Sequence, residues 1–238
     1  MTCKLRAEFL LGIIAIAIPV AGANSLDESG AQSSSVQNTV TSTQHIDFAP
    51  GRTIHIDGSY GILHVEGWDR PEVGITVTKS LPRGYERKHP EKAAQYLESI
   101  RVTAERRTNS ELAISTTKSD LGMEYEIQVP RNSSLTIHHR VGYVSVSGVN
   151  GNIEATCRRG DLVLWLSEKA SYAIDARSNV GTVASDLPGT FAVRYLIGQR
   201  YSRVDPSPSR RIFLRTYFGG ITIQPILPES EAPIVAGR

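Results

Sequence analysis

Six histidines, a cysteine in the body of the chain, scattered carboxylates and a late run of arginines are the side chains that could do chemistry in these 238 residues. His55 and His64 each sit between apolar neighbours, Ile54 and Ile56 in one case and Leu63 and Val65 in the other. That alternation turns both imidazoles away from a buried face. Stacked strands would make them a pair of nitrogen ligands, with Asp57 or Glu66 as a third. No recognised metal-ligand spacing accompanies them, solvated strand positions account for both, and no metal or cofactor is expected. His138 and His139 are adjacent, so a regular strand sends them to opposite faces and denies them a shared ion. Cys157 keeps the phase of Ile153 and Ala155. A thiol in that phase packs as a small hydrophobe, and no base stands near it in sequence, so it is expected in the core and not in catalysis.

The carboxylates Glu154, Asp161, Asp175 and Asp186 follow one another at intervals of 7, 14 and 11 residues. Only Asp175 and Asp186 keep a common phase, five positions after Ala170 and Gly181. A carboxylate pair of this kind on stacked strands is the minimum for acid–base cleavage of a polysaccharide, so these two are the candidate site of an alternative, carbohydrate-active reading. Arg194, Arg200, Arg203, Arg210, Arg211 and Arg215 make the late segment basic, with Asp205 opposing them and Tyr195, Tyr201, Phe213 and Tyr217 interleaved. These six arginines are the candidate binding surface, suited to anionic polymers or headgroups. Phosphate-binding glycine loops, nucleophile elbows and zinc-protease motifs are absent from the sequence. No catalytic residue is assigned.

The elements that must position these residues begin after a leader. Lys4 and Arg6 precede an apolar run, Phe9–Val20, and Ala21-Gly22-Ala23 supplies small residues for cleavage. Residues 1–23 are expected to be a signal peptide. The run is too short to span a bilayer, and no later stretch could do so. Cys3 precedes the run, so it is not a lipoprotein cysteine. Residues 24–44 are rich in Ser, Thr, Asn and Gln and are expected to be a flexible linker. The domain is expected over 45–227, with a tail at 228–238. Net charge is +2, falling to +1 without Lys4, Arg6 and Glu8, which excludes a nucleic-acid binder that works by bulk positive charge. One remaining cysteine excludes an intramolecular disulfide.

From residue 45 apolar and polar residues alternate: Val73, Ile75, Val77; Ile100, Val102, Ala104; Leu112, Ile114; Tyr125, Ile127, Val129; Leu135, Ile137. Period two with Val, Ile and Thr indicates strands. The helical exception is Pro90–Ser99, where Pro suits the first turn and Ala93, Ala94, Tyr96 and Leu97 form an apolar side. A glycine followed by apolar residues at +2 and +4 recurs at Gly61, Gly142, Gly151, Gly160, Gly189 and Gly219, with an alanine form at Ala170 and a weaker copy at Gly181. Between 142 and 189 the spacings are 9, 9, 10, 11 and 8 residues. One strand plus one corner takes about that many residues, and thin repeats bury a core only by stacking. The expected class is all-β, a β-solenoid. A β-sandwich or meander shares the alternation but not so regular a glycine frame.

Five stretches carry a resemblance: Gly61–Asp69 with Val73–Lys79; Tyr125–Pro130 leading to Leu135–Ile137; Gly142–Gly160; Tyr172–Pro188; and Ile212–Ile223. In this order, over nearly all of residues 50–225, they resemble the bacterial putative-adhesin family, exported or envelope domains of unknown function. The resemblance implies a right-handed single-stranded β-helix, adhesion as a tentative role and no catalytic residues. Arg200–Arg211 departs from the family pattern.

The leading expectation is a non-enzymatic exported β-solenoid, in the periplasm, the cell envelope or outside the cell. Its role would be binding or structural, with adhesion in view and envelope polysaccharide or protein as partner. The alternatives are a carbohydrate-active β-helix using Asp175 and Asp186, and an envelope-stress signalling partner.

Overall fold

A computed structural model describes residues 39–81, 84–117, 122–194 and 197–226. The leader, residues 24–38 and the tail lie outside them. Fourteen strands join one mixed, open sheet. Five carry the centre: β2 (Thr53–Trp68), β7 (Ser134–Ser147), β8 (Ile153–Leu166), β9 (Tyr172–Val180) and β13 (Arg210–Phe218). β2 runs parallel to β7, β7 to β8, β8 to β13 and β13 to β9. β13 therefore occupies the place between β8 and β9 although it follows both in sequence. The short β10 (Val183–Ser185) and β14 (Ile221–Pro225) continue β9 and β13 and pair with each other.

The flanks are antiparallel. β1 (Thr39–Asp47) pairs β3 (Glu72–Ser80), which pairs β6 (Gly122–Pro130). β4 (Val102–Thr108) pairs β5 (Glu111–Thr116), and β11 (Thr190–Arg194) pairs β12 (Gly198–Val204). The all-β class holds. The sheet differs from the uniform single-stranded β-solenoid of the sequence reading, because these antiparallel flanks interrupt continuous parallel winding. Thr39–Gln44, assigned to the linker on composition, form most of the outer strand β1; threonine favours strands as readily as it fills linkers.

The nine-residue frame is half of a larger unit. Leu135 pairs with Ile153, eighteen positions on. Gly142 and Gly160 lie inside long strands, whereas Gly151 lies in the turn between β7 and β8. Each long strand thus has two arms joined by a glycine corner. Side chains from both arms stack in columns: Ile54, Leu135, Ile153, Ile212 and Ile174 in one; Leu63, Val144, Leu162, Ile221 and Val183 in another. All are buried. Such columns bury what single strands cannot.

The corner has its own chemistry. Gly61, Gly142, Gly160, Gly219 and Gly181 have φ of 124°, 134°, 132°, 140° and 138°, a region closed to residues with a Cβ. A Cβ on Gly142 would lie 1.8 Å from the Gly61 carbonyl oxygen, and one on Gly160 would lie 1.7 Å from that of Gly142. At four of these corners the glycine carbonyl is turned toward the interior. A buried side chain three residues before the next corner meets it. His139 Nε2 lies 3.1 Å from Gly61 O, Cys157 Sγ 3.9 Å from Gly142 O, Thr216 Oγ1 3.1 Å from Gly160 O and Ser178 Oγ 2.8 Å from Gly219 O. Register places Gly58, His139, Cys157, Thr216 and Ser178 in one inward column. Cys157 is therefore in the core, as its phase predicts, and it faces a carbonyl. Burial pushes its thiol up to about 11.

The helix α2 (Pro90–Ser99), preceded by the single turn α1 (Tyr85–Lys88), covers one flank. Ala93, Leu97 and Ile100 are buried, and Lys79 Nζ, on β3, donates to the carbonyls of Leu97 and Ile100 at the helix end, where a cation suits the dipole.

Gly160→Ala is expected to cost at least ~3 kcal/mol in urea unfolding, because strain and a backbone clash coincide. Gly122→Ala, with open space at its Cβ, is expected to stay within ~1 kcal/mol of the parent. Equal midpoints for the two would contradict the corner geometry.

Candidate binding surface

The outward side of the first arms carries the charge. Residues four before each corner glycine fall in one row: Asp57, His138, Thr156, Arg215 and Arg177, with Arg200 of β12 opposite Arg177. Adjacent strands are ~4.8 Å apart, so Arg215, Arg177 and Arg200 stand side by side. Arg140 and Arg158 follow two positions along β7 and β8, both exposed.

Asp175 is the counter-charge. Arg200 forks onto it with Nε at 3.1 Å and Nη2 at 2.9 Å. Arg177 forks onto it from the other side, with Nε at 2.8 Å from Oδ1 and Nη2 on Oδ2. Burial pushes the Asp175 carboxyl up, but the two guanidiniums outweigh it and hold the group below the usual carboxylate range. Asp175 pairs two of the three clustered arginines, and Asp57 lies at the far end of the row, so this end of the row is positive. Arg215 has a buried Nε with no hydrogen-bond partner. Its guanidinium lies 6.0 Å from the Phe213 ring and 5.9 Å from that of Tyr217, while Arg177 lies 5.8 Å from Phe213. Aromatic faces hold the Arg177 and Arg215 planes in place; with the Nε edges of Arg177 and Arg200 on Asp175 and the Arg215 Nε buried, it is the terminal Nη groups that remain to meet carboxylate, sulfate or phosphate. A groove of about 530 Å³ opens beside the row, lined by Glu154, Asp175, Arg200, Arg211 and Phe213 among others.

The structure divides the six late arginines. Arg200 and Arg215 belong to the row, and Arg211 is exposed at the groove. Arg203 has the opposite phase and pairs with Asp205 at 2.7 Å; their side chains are 16% and 18% exposed. Asp205 also accepts the Tyr172 backbone N–H at 2.9 Å, so Arg203 holds the fold together. Arg210 lies 5.8 Å from the Tyr172 ring. The side chain of Arg194 lies outside the described residues. Arg140, Arg158 and Arg177 were missed because they lie before the late segment; counting back from each glycine would have found Arg177.

The other candidates are dispersed. Asp175 and Asp186 line separate grooves, Asp186 with Glu66, Arg131 and Trp165. His55 and His64 both face outward but sit on different arms of β2, His64 bonding Ser145 Oγ at 2.6 Å. Asp57 lines a groove with His138, and Glu66 one with His64 and Glu126. No group of three metal-ligating side chains occurs among the described residues. His138 is exposed and His139 buried, the opposite faces expected of adjacent residues.

No family model and no curated protein matches the chain. Among solved structures, the fold is similar to that of a "putative cell adhesion protein" from Clostridium sporogenes, with 13% identity and a TM-score of 0.52 over 79% of this chain and all of that one. A "putative adhesin" from Bacteroides fragilis is similar at 11% identity, with a TM-score of 0.32 over 79% of this chain and 97% of that one, too low to support an argument. The first likeness shows a shared fold and nothing about ligands. No helix among the described residues is long and apolar enough to cross a membrane.

His139 titrates inside the core. Burial lowers its pKa below 6.5, against the raising effect of the Gly61 carbonyl, and its Nδ1 has no partner. The unfolded chain therefore takes up this proton first as pH falls. The His139 contribution is constant above pH ~6.5 and is lost below it, at most ~1.4 kcal/mol per pH unit, until the folded-state pKa is passed. Unfolding free energies of the parent and His139→Gln, measured from pH 7.5 to 5, are expected to show a shallower fall in the variant. Parallel curves would refute this.

Proposed function

We propose that the chain is an exported, non-enzymatic binding protein of the cell envelope. Its stacked, cornered strands act as a β-solenoid-type scaffold, and its row of arginines holds an anionic envelope polymer, polysaccharide in the first instance. The observation that supports this most is the alignment of Arg215, Arg177 and Arg200 on three adjacent strands, with Asp175 pairing only Arg177 and Arg200. Main-chain pairing fixes the spacing of the guanidiniums before any ligand arrives, so little side-chain freedom is lost on binding. Bidentate N–H forks match carboxylate and sulfate groups. The scaffold can present such rows without catalysis: Asp175, the carboxylate nearest the row, is held ionised by two arginines, which suits an ion pair and opposes a proton donor. The same role fits adhesion, in which repeated weak contacts along a polymer add by effective concentration.

The test uses dextran sulfate and uncharged dextran with the full chain. Dextran sulfate is expected to bind with an affinity that falls with salt, and dextran to be ignored at this face. Arg158→Ala with Arg215→Ala should weaken binding about tenfold or more, a loss of ~1.4 kcal/mol or more. Lys92→Ala with Lys169→Ala, away from the row, should leave it unchanged. Equal losses in both pairs would reduce the effect to net charge and overturn the proposal.

A further inference from the structure

A second surface runs along the outside of the glycine corner. On every rung one residue precedes the corner glycine and one follows it. Register aligns the preceding set as Tyr60, Val141, Arg159, Phe218 and Val180, and the following set as Ile62, Tyr143 and Asp161. Between the two rows the glycines carry no side chains. The result is a trough of about 650 Å³, reaching past Gly61 to Glu124 on β6 and to Thr78 and Ser80 on β3.

Its lining differs from the arginine row in kind. Tyr60 and Ile62, both lining the trough, are 39% and 41% exposed, large apolar side chains left open to solvent. His64 packs edge-on to Tyr143 with ring centroids 6.0 Å apart, which steadies that tyrosine. Two carboxylates, Glu124 and Asp161, flank the tyrosines against one guanidinium, Arg159, itself 6.0 Å from the Phe218 ring. Asp161 Oδ1 accepts the Gly220 backbone N–H at 2.7 Å, an anchor that aims the carboxylate along the trough edge.

We propose that this trough binds a neutral glycan chain laid along the stack, with sugar faces against Tyr60 and Tyr143 and sugar hydroxyls donated to Glu124 and Asp161. Aromatic rings supply a flat apolar face beside polar groups, the combination that suits a polyhydroxylated ring. Carboxylates are the strong acceptors for hydroxyl donors. The charge excludes an anionic chain, because Glu124 and Asp161 outnumber Arg159 and like charges repel at an interface. It also disfavours an apolar helix, which would bury both carboxylates without donors. Five strands line the trough, from β3 through β6, β2 and β7 to β8, roughly 20 Å at the inter-strand spacing, which suits an oligosaccharide more than a single sugar.

The test titrates the full chain with two neutral hexasaccharides, cellohexaose and chitohexaose, by calorimetry and by amide NMR. At least one is expected to bind with Kd of about 1 mM or tighter. Its largest shifts should fall at Tyr60, Ile62 and Tyr143, and Tyr60→Ala with Tyr143→Ala should weaken it about tenfold or more. The same double variant should bind dextran sulfate as the parent does, and Arg158→Ala with Arg215→Ala should keep hexasaccharide binding, so the two surfaces stand or fall separately. No binding of either sugar at about 10 mM overturns the proposal. So do shifts confined to other surfaces, or an unchanged Kd in a folded tyrosine variant. If that variant does not fold, the shift map of the parent decides.

Discussion

Everything in this fold depends on how a strand turns a corner without losing its neighbours. The bend turns the carbonyls of Gly61, Gly142, Gly160 and Gly219 toward the interior. A buried carbonyl without a donor costs about 1–3 kcal/mol, and four such carbonyls would consume much of a domain's stability. The chain answers with an inward donor from the next strand in the stack: His139, Cys157, Thr216 and Ser178 in turn. The same carbonyls stand where a Cβ of the next corner would go. A glycine at one corner and an inward donor three positions before the next corner are thus two halves of one requirement. The thiol is the weakest of the four donors, and Cys157 fits because the place needs a small group that is at home in a core.

The corner also determines what the surface can do. It keeps the parallel strands in register over both arms, so outward side chains become rows with fixed pitch. One row collects arginines from three strands, two of them sharing Asp175; the corner itself, bare of side chains, opens a trough between tyrosines. The two surfaces differ in charge for a local reason. On the arms, guanidiniums lie against the aromatic rings of Phe213 and Tyr217, while at the corner Glu124 and Asp161 outnumber Arg159. A near-neutral chain thereby carries two unlike faces.

Much of the core was legible in the sequence. Alternation placed Ile54, Leu63, Leu135, Ile153 and Cys157 inside, and the proline start with its short apolar side placed the helix at Pro90–Ser99. The winding was not legible, because residues at +2 and +4 after a glycine look the same whether that glycine is a corner, like Gly142, or a turn, like Gly151. A donor at −3, as at His139, Cys157, Ser178 and Thr216, accompanies four of the corners, but Gly61, with Gly58 at that position, reads there like the turn glycine Gly151, with Gly148. The antiparallel flanks escaped for a different reason. β1 is built from threonines that read equally well as linker, and its strand state comes from pairing with β3, a long-range contact that no local pattern reports. The arginine row was half seen. Composition found the late cluster but not Arg177, and it grouped Arg203 with Arg200 although their odd spacing puts them on opposite faces of one strand.

The donor ladder is the central claim, and Thr216 tests it most directly, since its hydroxyl and the Gly160 carbonyl are both within the stack. Urea unfolding of Thr216→Val and Thr216→Ser compares the loss of the hydroxyl with the loss of the methyl. Val should lower stability by about 1–3 kcal/mol through the orphaned carbonyl, and Ser, which keeps the donor, should lose clearly less. A valine variant as stable as the parent would contradict the account.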